Sequence, residues 1–124
     1  MARLLTYPKR VRLLRKADFT LCYEEGLRWH TPHFLLFVRY VLSERPESRT
    51  GTAVSRKVGK AVVRNRIRRL LREFFRLHAE LLPRHADIAV VAKKHAAEIA
   101  CYRQVEEELL SACGRLAQTV QPGR

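Results

Sequence analysis

The sequence predicts an α+β fold, a two-layer sandwich of helices on one sheet, built as a single domain. Its 124 residues correspond to about one domain, and a 47% apolar content is enough for a core without disulfides or metals. Segments with helical and with strand periodicity alternate along the chain, and the short apolar run at 87–92 is typical of a strand buried on both faces. Two layers let such helices and strands bury their apolar faces together. Residues 1–9 and 118–124 are expected to be flexible ends of this domain.

The first predicted element is a short helix over residues 16–25. Phe19, Cys22 and Tyr23 fall at i, i+3 and i+4, which places them on one face. Gly26 follows at the position where a glycine commonly ends a helix.

Residues 27–48 predict two strands and a turn. A short strand is expected at 27–30, and the aromatic and β-branched run 33–42 is the clearest strand of the chain. Its alternation places Phe34 on one face, which we expect to be the core face, and Phe37 on the other. The polar segment 43–48 is expected to form a hairpin loop.

The second half of the chain continues with a strand, a helix, a strand and a helix. The strand at 49–55 carries small residues on one face, which leaves room for another group to approach the sheet. A long helix is predicted from about residue 59 to about residue 81, where Pro83 stops it. The buried strand at 87–92 and an amphipathic helix at 101–117 complete the chain.

The long central helix has a core face and an arginine face. At 100° per residue from Arg64, its apolar positions fall between about 220° and 300°. This apolar stripe consists of Val63, Ile67, Leu70, Phe74, Leu77 and Leu81. The opposite side carries an i, i+4 ridge made of Arg64, Arg68, Arg72 and Arg76. Like charges at this spacing destabilise a helix by some tenths of a kcal/mol per pair, so the ridge indicates binding of a polyanion rather than selection for stability.

The charge of the chain supports the same conclusion. Lys and Arg number 25 against 12 Asp and Glu, a formal net charge of +13, and 19 of the basic residues are Arg. Residues 1–76 contain 19 basic and 6 acidic residues, whereas the rest of the chain contains six of each. A compact domain this basic predicts a polyanionic partner and argues against most free-standing small-molecule enzymes. The charge alone does not choose between nucleic acids.

Other classes of protein find no support in the sequence. No apolar run is long enough to span a membrane, and no secretory signal is present, so a cytoplasmic protein is expected. The three cysteines form no C-x-x-C pair and are expected to be reduced. His30 and His33 have no Cys or carboxylate at ligand spacing, so no metal site is predicted. The acids before residue 77 form no metal-like cluster, Asp87 is expected to be a cap or turn residue, and no catalytic residue is predicted.

At the central helix the sequence resembles a known family. Residues 54–76, VSRKVGKAVVRNRIRRLLREFFR, are similar to the signature of the bacterial ribonuclease P protein component, whose core is the motif Arg64-Asn65-Arg66. The similarity continues at Ala17-Asp18-Phe19, in the strand 34–37 and at 87–91.

This resemblance implies a fold and a set of partners. The fold would be a four-stranded sheet with element order αβββαβα and a left-handed βαβ crossover, as in the ribosomal protein S5 domain 2-like fold. The partners would be the ribonuclease P RNA and precursor tRNA within a holoenzyme. The RNA subunit would remove the 5′ leader by Mg²⁺-dependent hydrolysis, with the ions bound mainly by that RNA and the substrate. The protein would bind the RNA and the leader, and thus be part of an enzyme without supplying its chemistry.

The resemblance also implies roles for two sets of residues. The set expected to face the catalytic RNA includes basic residues before the helix as well as residues on it. It comprises Arg56, Lys57, Lys60, Arg64, Asn65, Arg66, Arg68, Arg69 and Arg72. The set expected at the leader comprises Phe19, Tyr23, Phe37, Arg12, Arg15 and Arg39. An aromatic ring stacks on any base, which suits leaders of varied sequence. The alternative for Phe19 and Tyr23 is that they only pin the first helix to the core, and Trp29 is expected to be a packing residue.

The basic composition is also compatible with two other nucleic-acid-binding functions. A general RNA-binding or ribosomal-type protein, or an RNA chaperone, would share the basicity without the specific partner. A DNA-binding recognition helix is disfavoured because the segments before residue 59 are predicted to be strands, with no helix-turn-helix spacing.

Overall fold

A computed structural model describes residues 7–41 and 47–119, and the side chains of residues 7–41 and 47–115. The helices are α1 (Lys16–Glu25), α2 (Ala61–Leu77) and α3 (Tyr102–Thr119). The strands are β1 (Leu27–His30), β2 (Phe34–Tyr40), β3 (Arg49–Ala53) and β4 (Ala86–Ala92). Short 3₁₀ segments lie at Lys9–Val11, Ala79–Leu81 and Lys94–Glu98. The predicted order αβββαβα is confirmed.

The four strands form one mixed sheet in the order β1-β2-β4-β3. β1 pairs antiparallel with β2, and Leu27 lies opposite Val38. β2 pairs antiparallel with β4, and β4 pairs in parallel with β3, so that Ile88 lies between Val38 and Thr50. Helix α2 connects the two parallel neighbours β3 and β4.

The prediction of a hairpin loop at 43–48 is wrong, because β4 separates β2 from β3 in the sheet. Residues 43–46 of that segment lie outside the described residues. The physical reason is the composition of β4, where every residue except Val91 is buried. A strand that is apolar on both faces is most stable in the middle of a sheet, covered on both sides.

The main core lies between one face of the sheet and helices α2 and α3. Phe34 is fully buried there, as predicted from the alternation of β2. On α3 the buried stripe includes Val105 and Leu109, and the helix continues past Gly114 to Thr119.

The core face of α2 differs from the prediction by a rotation of the helix. Its buried residues are Ile67, Leu71, Phe74 and Phe75. They span about 280° to 20° on the same wheel, because α2 packs against both the sheet and α3 and therefore buries a wider arc. Leu81, predicted as core, is 47% exposed because the helix ends at Leu77 and His78 leaves the helical conformation. Arg64, at 0°, falls within this arc but lies in the first turn of the helix, where it is only half-buried.

The other face of the sheet carries a smaller core beneath α1. Leu13, Cys22, Phe37 and Ala89 are buried there, with Phe19 packed against them. The small face predicted for β3 is used by this helix. A Cβ on Gly51 would stand 2.5 Å from the Phe19 ring and 2.9 Å from the Leu13 Cβ, so only glycine fits.

Three local outcomes complete the comparison with the sequence. Gly26 follows α1 as predicted, but its backbone is extended rather than left-handed (φ −77°, ψ 154°). Trp29 is partly buried against the main core, which confirms it as a packing residue. Tyr7, expected in a flexible leader, packs on Phe75 with ring centroids 6.2 Å apart and donates a 2.8 Å hydrogen bond to the Thr50 carbonyl.

No helix in the described ranges has the length and apolarity needed to cross a membrane.

Candidate nucleic-acid interface

The outward side of α2 and the loop before it form a basic surface, here called the arginine surface. Its exposed members are Arg56, Lys57, Lys60, Asn65, Arg69 and Arg72. Among the residues that the structure describes, none of its Arg or Lys side chains forms an ion pair with a carboxylate. Glu73, the acid on α2, is bound by Arg76 at 2.7 Å, and this hydrogen bond lowers the pKa of Glu73. The charges on this surface are therefore available to a partner.

The start of α2 determines how the loop meets the helix. Gly59 has a φ of +155°, a conformation that side-chain-bearing residues rarely adopt, and Lys60 is the N-cap without a side-chain hydrogen bond. The first turn contains no acidic residue. The helix N-terminus thus adds its partial positive charge to the basic side chains around it.

Two arginines of the ridge contact the protein backbone as well as solvent. Half-buried Arg64 donates to the Gly59 carbonyl at 3.2 Å, and half-buried Arg68 donates to the Val54 carbonyl at 3.4 Å. Arg68 also donates to the Asn65 side-chain oxygen at 2.9 Å. These bonds hold both guanidinium groups against the loop that leads into α2.

Arg66 points to the opposite flank of the helix. It donates to the Ile99 carbonyl at 2.6 Å and to the Ala97 carbonyl at 3.2 Å, in the segment between β4 and α3. On the helical wheel Arg66 lies 200° from Arg64, with Asn65 between them on the outward side. The Arg-Asn-Arg motif therefore presents its asparagine to solvent, while Arg64 binds a carbonyl of the preceding loop and Arg66 binds carbonyls of the segment between β4 and α3.

The three aromatic residues predicted at the leader are brought together on the α1 side of the sheet, in what we call the aromatic cleft. The Tyr23 and Phe37 ring centroids are 4.9 Å apart with an edge-on geometry, and those of Phe19 and Tyr23 are 6.3 Å apart. Phe37 is only 7% exposed and Phe19 is wedged against Gly51, whereas Tyr23 is 36% exposed. Burial raises the pKa of Tyr23, so it is a neutral hydroxyl donor at physiological pH. Tyr23 is the ring of the three with the most accessible surface.

The basic residues predicted beside this cleft have different surroundings. Arg15 is exposed at the N-cap of α1. The Arg12 guanidinium lies 5.1 Å from the Tyr7 ring centroid, and its Nε donates to the Tyr7 carbonyl at 2.8 Å. Arg28, which the sequence interpretation missed, lies 5.9 Å from the Phe37 ring centroid. Pairing of the two predicted strands would have located it, because Arg28 stands opposite Phe37 in the β1–β2 register.

Arg39 lies in a network of charges beneath α1, around a carboxylate that the sequence interpretation placed wrongly. Asp87, expected to be a cap or turn residue, is fully buried inside β4. Arg49 donates to both of its oxygens, at 2.9 and 2.8 Å, and the Arg39 guanidinium lies 3.8 Å from it. Arg39 also donates to Glu25 at 2.9 Å. The sequence alone could not reveal this network, because the three residues meet only when β4 pairs with both β2 and β3.

Groups able to hold a metal or act as nucleophiles are sparse. Across residues 7–41 and 47–119, no three His, Cys, Asp or Glu side chains are grouped as metal ligands. Burial raises the pKa of the Cys22 and Cys113 thiols to about 11, whereas Cys101 is exposed. The chemistry of the described site is thus mainly that of basic side chains, which can contact a polyanion, and of aromatic rings, which can contact other flat rings.

Comparison with known proteins decides the family. The sequence matches the Ribonuclease P family model over residues 7–117. The chain is a member of the ribonuclease P protein family. It is 57% identical over 112 residues to the ribonuclease P protein component of Desulfovibrio desulfuricans, covering 90% of this chain and 86% of that protein.

Solved ribonuclease P proteins share the fold. The protein from Thermotoga maritima superposes with a TM-score of 0.75 at 34% identity, covering 84% of this chain and 96% of that one. The protein from Staphylococcus aureus gives a TM-score of 0.77 at 29% identity, covering 86% and 94%. This chain is therefore the protein subunit of a ribonuclease P, part of a tRNA-processing ribonuclease. A ribosomal-type RNA-binding protein or an RNA chaperone is not favoured.

Proposed function

We propose that this ribonuclease P protein binds the catalytic RNA through the arginine surface and the single-stranded 5′ leader of precursor tRNA in the aromatic cleft. The RNA subunit performs the Mg²⁺-dependent hydrolysis, and the protein supplies binding energy and orientation. The observation that carries this proposal is the group of exposed basic side chains on α2 and the loop before it, which form no ion pair among the described residues, in a member of this family.

The arginine surface suits folded RNA for two reasons. Guanidinium groups match phosphate oxygens with paired donors, and the exposed arginines here have their donors free for such contacts. The half-buried Arg64 and Arg68 are already fixed by backbone carbonyls, so little side-chain entropy is lost when a phosphate binds their remaining donors. A rigid helix therefore presents charges at defined spacing.

The aromatic cleft suits a flexible single strand. Base stacking on an aromatic ring contributes about 1–3 kcal/mol and is tolerant of sequence. Tyr23 offers the most exposed ring, and Phe19 and Phe37 both pack beside it. Phe19 therefore also has the packing role given as its alternative.

Among the described residues, no three potential metal ligands are grouped together. The acids nearest the cleft, Asp18, Glu25 and Asp87, are bound to arginines rather than grouped around an empty volume. The proposal accordingly places the ions with the RNA and the substrate, and no step is assigned to a carboxylate of the protein.

The deciding experiment is reconstitution of the full chain with a bacterial ribonuclease P RNA at limiting Mg²⁺. Adding the protein should raise cleavage of precursor tRNA, and it should raise affinity more for a long-leader substrate than for one with a one-nucleotide leader. If the protein leaves the cleavage rate of the RNA unchanged at limiting Mg²⁺, the proposed function is refuted.

A pair of double variants locates the RNA contact. Changing Arg69 and Arg72 to Gln should make the dependence of log K on log salt shallower by roughly 1.4–1.8 for catalytic-RNA binding, the contribution of two phosphate contacts. The matched control changes Lys94 and Arg103 to Gln, which removes the same charge from exposed positions outside α2. Equal slopes for the two double variants would move the RNA contact away from the arginine surface.

A further inference from the structure

The charged network beneath α1 crosses three neighbouring strands in one row. Asp87 on β4 lies directly between Arg39 on β2 and Arg49 on β3 in the strand register. Both arginines approach the buried carboxylate, Arg49 with two hydrogen bonds and Arg39 at 3.8 Å. Asp87 therefore fixes the position of two guanidinium groups on the face of the sheet that α1 covers.

Each of these arginines also reaches an acid on α1, at opposite ends of the helix. Arg49 lies 3.5 Å from Asp18 in the first turn, and Arg39 binds Glu25, the last residue of the helix, at 2.9 Å. We call this set of five residues, Asp18, Glu25, Arg39, Arg49 and Asp87, the α1 clamp. It ties both ends of the helix to one buried anchor.

Helix α1 needs such ties because its apolar packing is small. Cys22 is its one buried residue, and neither cap position carries a side-chain hydrogen bond. Phe19 and Tyr23, which form one wall of the aromatic cleft, lie on this helix, while Phe37 lies on the sheet below. The separation of the two walls therefore depends on how α1 is held.

We propose that the α1 clamp is a positioning device that sets the geometry of the aromatic cleft, so that Arg39 and Arg49 act on leader binding through α1 rather than by contacting leader phosphates. This inference rests on the proposed leader site and differs from the role that family resemblance implies for Arg39. The two roles predict opposite effects when the Arg39 partner on α1 is removed.

The test compares Glu25→Gln with Glu24→Gln in the reconstituted holoenzyme. Both variants remove one negative charge from the last turn of α1, so both change the electrostatic attraction of phosphates and the helix dipole alike. Glu24 is exposed and forms no ion pair among the described residues, so only Glu25→Gln breaks the clamp. The readout is the leader increment, meaning the ratio of affinities for long-leader and one-nucleotide-leader precursor tRNA.

The clamp predicts that Glu25→Gln lowers the leader increment about 1.5- to 5-fold relative to Glu24→Gln, the range for one exposed ion pair. Hydrogen exchange of the α1 amides in the free protein should rise by a similar factor in Glu25→Gln and not in Glu24→Gln. Affinity for the catalytic RNA should be the same in both variants. If Glu25→Gln instead raises the leader increment above that of Glu24→Gln, Arg39 has been released to bind the leader and the inference is overturned.

The remaining outcomes are also decisive. Equal hydrogen exchange in the two variants would show that the clamp does not hold α1. Faster exchange with an unchanged leader increment would show that it holds the helix without setting the cleft. A wild-type holoenzyme with no leader increment would refute the leader site itself and with it the positioning role, while hydrogen exchange would still report separately whether the clamp holds the helix.

Discussion

Replacing Arg66 by alanine removes two hydrogen bonds that join α2 to the segment before α3. Arg66 donates to the carbonyls of Ile99 at 2.6 Å and Ala97 at 3.2 Å, and its side chain is half-buried. Family resemblance gives this residue an RNA-binding role, but the structure shows two of the five guanidinium N–H groups bound to backbone carbonyls. Arg66→Ala is therefore predicted to weaken the protein mainly through folding.

The magnitude follows from the two bonds. A hydrogen bond to a charged group contributes about 1.5–3 kcal/mol, so two give at most about 3–6 kcal/mol. Because Arg66 is half-buried, water can satisfy part of the carbonyl capacity after the change, and a loss of about 2–3 kcal/mol in the free energy of unfolding is expected. Arg69, exposed and unpaired one turn along, should lose no more than about 0.5 kcal/mol on the same change.

Two measurements on the free and bound protein separate the roles. Urea unfolding of Arg66→Ala and Arg69→Ala gives the stabilities, and titration with the catalytic RNA at several salt concentrations gives the slopes. Arg69→Ala should make the slope shallower by about 0.7–0.9 at near-normal stability, whereas Arg66→Ala should lose stability with a smaller change in slope. If Arg66→Ala is as stable as wild type and loses the slope of a full phosphate contact, the structural role of Arg66 is refuted.

Four further predictions concern a close backbone approach, the exposed ring of the cleft and the cysteine thiols. Gly51→Ala should destabilise the fold by about 1–3 kcal/mol in urea unfolding, because its Cβ would overlap the ring packed above it. Tyr23→Ala should reduce the leader increment, and Tyr23→Phe should retain it, since stacking needs the ring and not the hydroxyl; equal loss in both variants would exclude stacking. Iodoacetamide at pH 8 should modify Cys101 in the folded protein well before Cys22 or Cys113, whose thiol pKa values are raised to about 11 by burial; alkylation of all three at one rate would contradict this. Because the same thiols ionise near pH 9.0 when unfolded, stability should fall as the pH rises from about 9 to 11.

Local patterns predicted the elements but not how they are arranged. The helix at 16–25 and the opposite faces of Phe34 and Phe37 follow from spacing within one segment, and both are confirmed. The position of β4 between β2 and β3 depends on contacts across the chain, which a hairpin prediction from neighbouring segments ignores. The rotation of the α2 core has the same origin, since Leu71 is buried in a core that residues of the sheet and of α3 complete.

The candidate site shows the same division. Helical spacing placed four arginines on one ridge of α2, of which Arg72 is exposed and Arg64, Arg68 and Arg76 are half-buried. Composition and spacing could not show that Arg66 is bonded to Ile99, since the two residues are 33 positions apart in the sequence. Nor could they show that Asp87 anchors Arg49, because that pair exists only when β3 and β4 are neighbours. Residues that face outward are predictable from pattern, and those that bind another segment require the fold.

The acids of the basic first 76 residues decide where a polyanion is attracted. Asp18 and Glu25 lie near the two ends of α1 and neutralise the arginines of the clamp. Glu73, near the end of α2, is bound by Arg76. The outward positions between Arg56 and Arg72 are left without a paired acid among the described residues. Since the attraction of unpaired charges extends over about 8–10 Å at physiological salt, the arginine surface acts at long range, whereas the aromatic cleft acts only on contact. We therefore expect the large RNA to dock first on α2, where backbone hydrogen bonds hold Arg64 and Arg68. The rings of the aromatic cleft would then select a single strand.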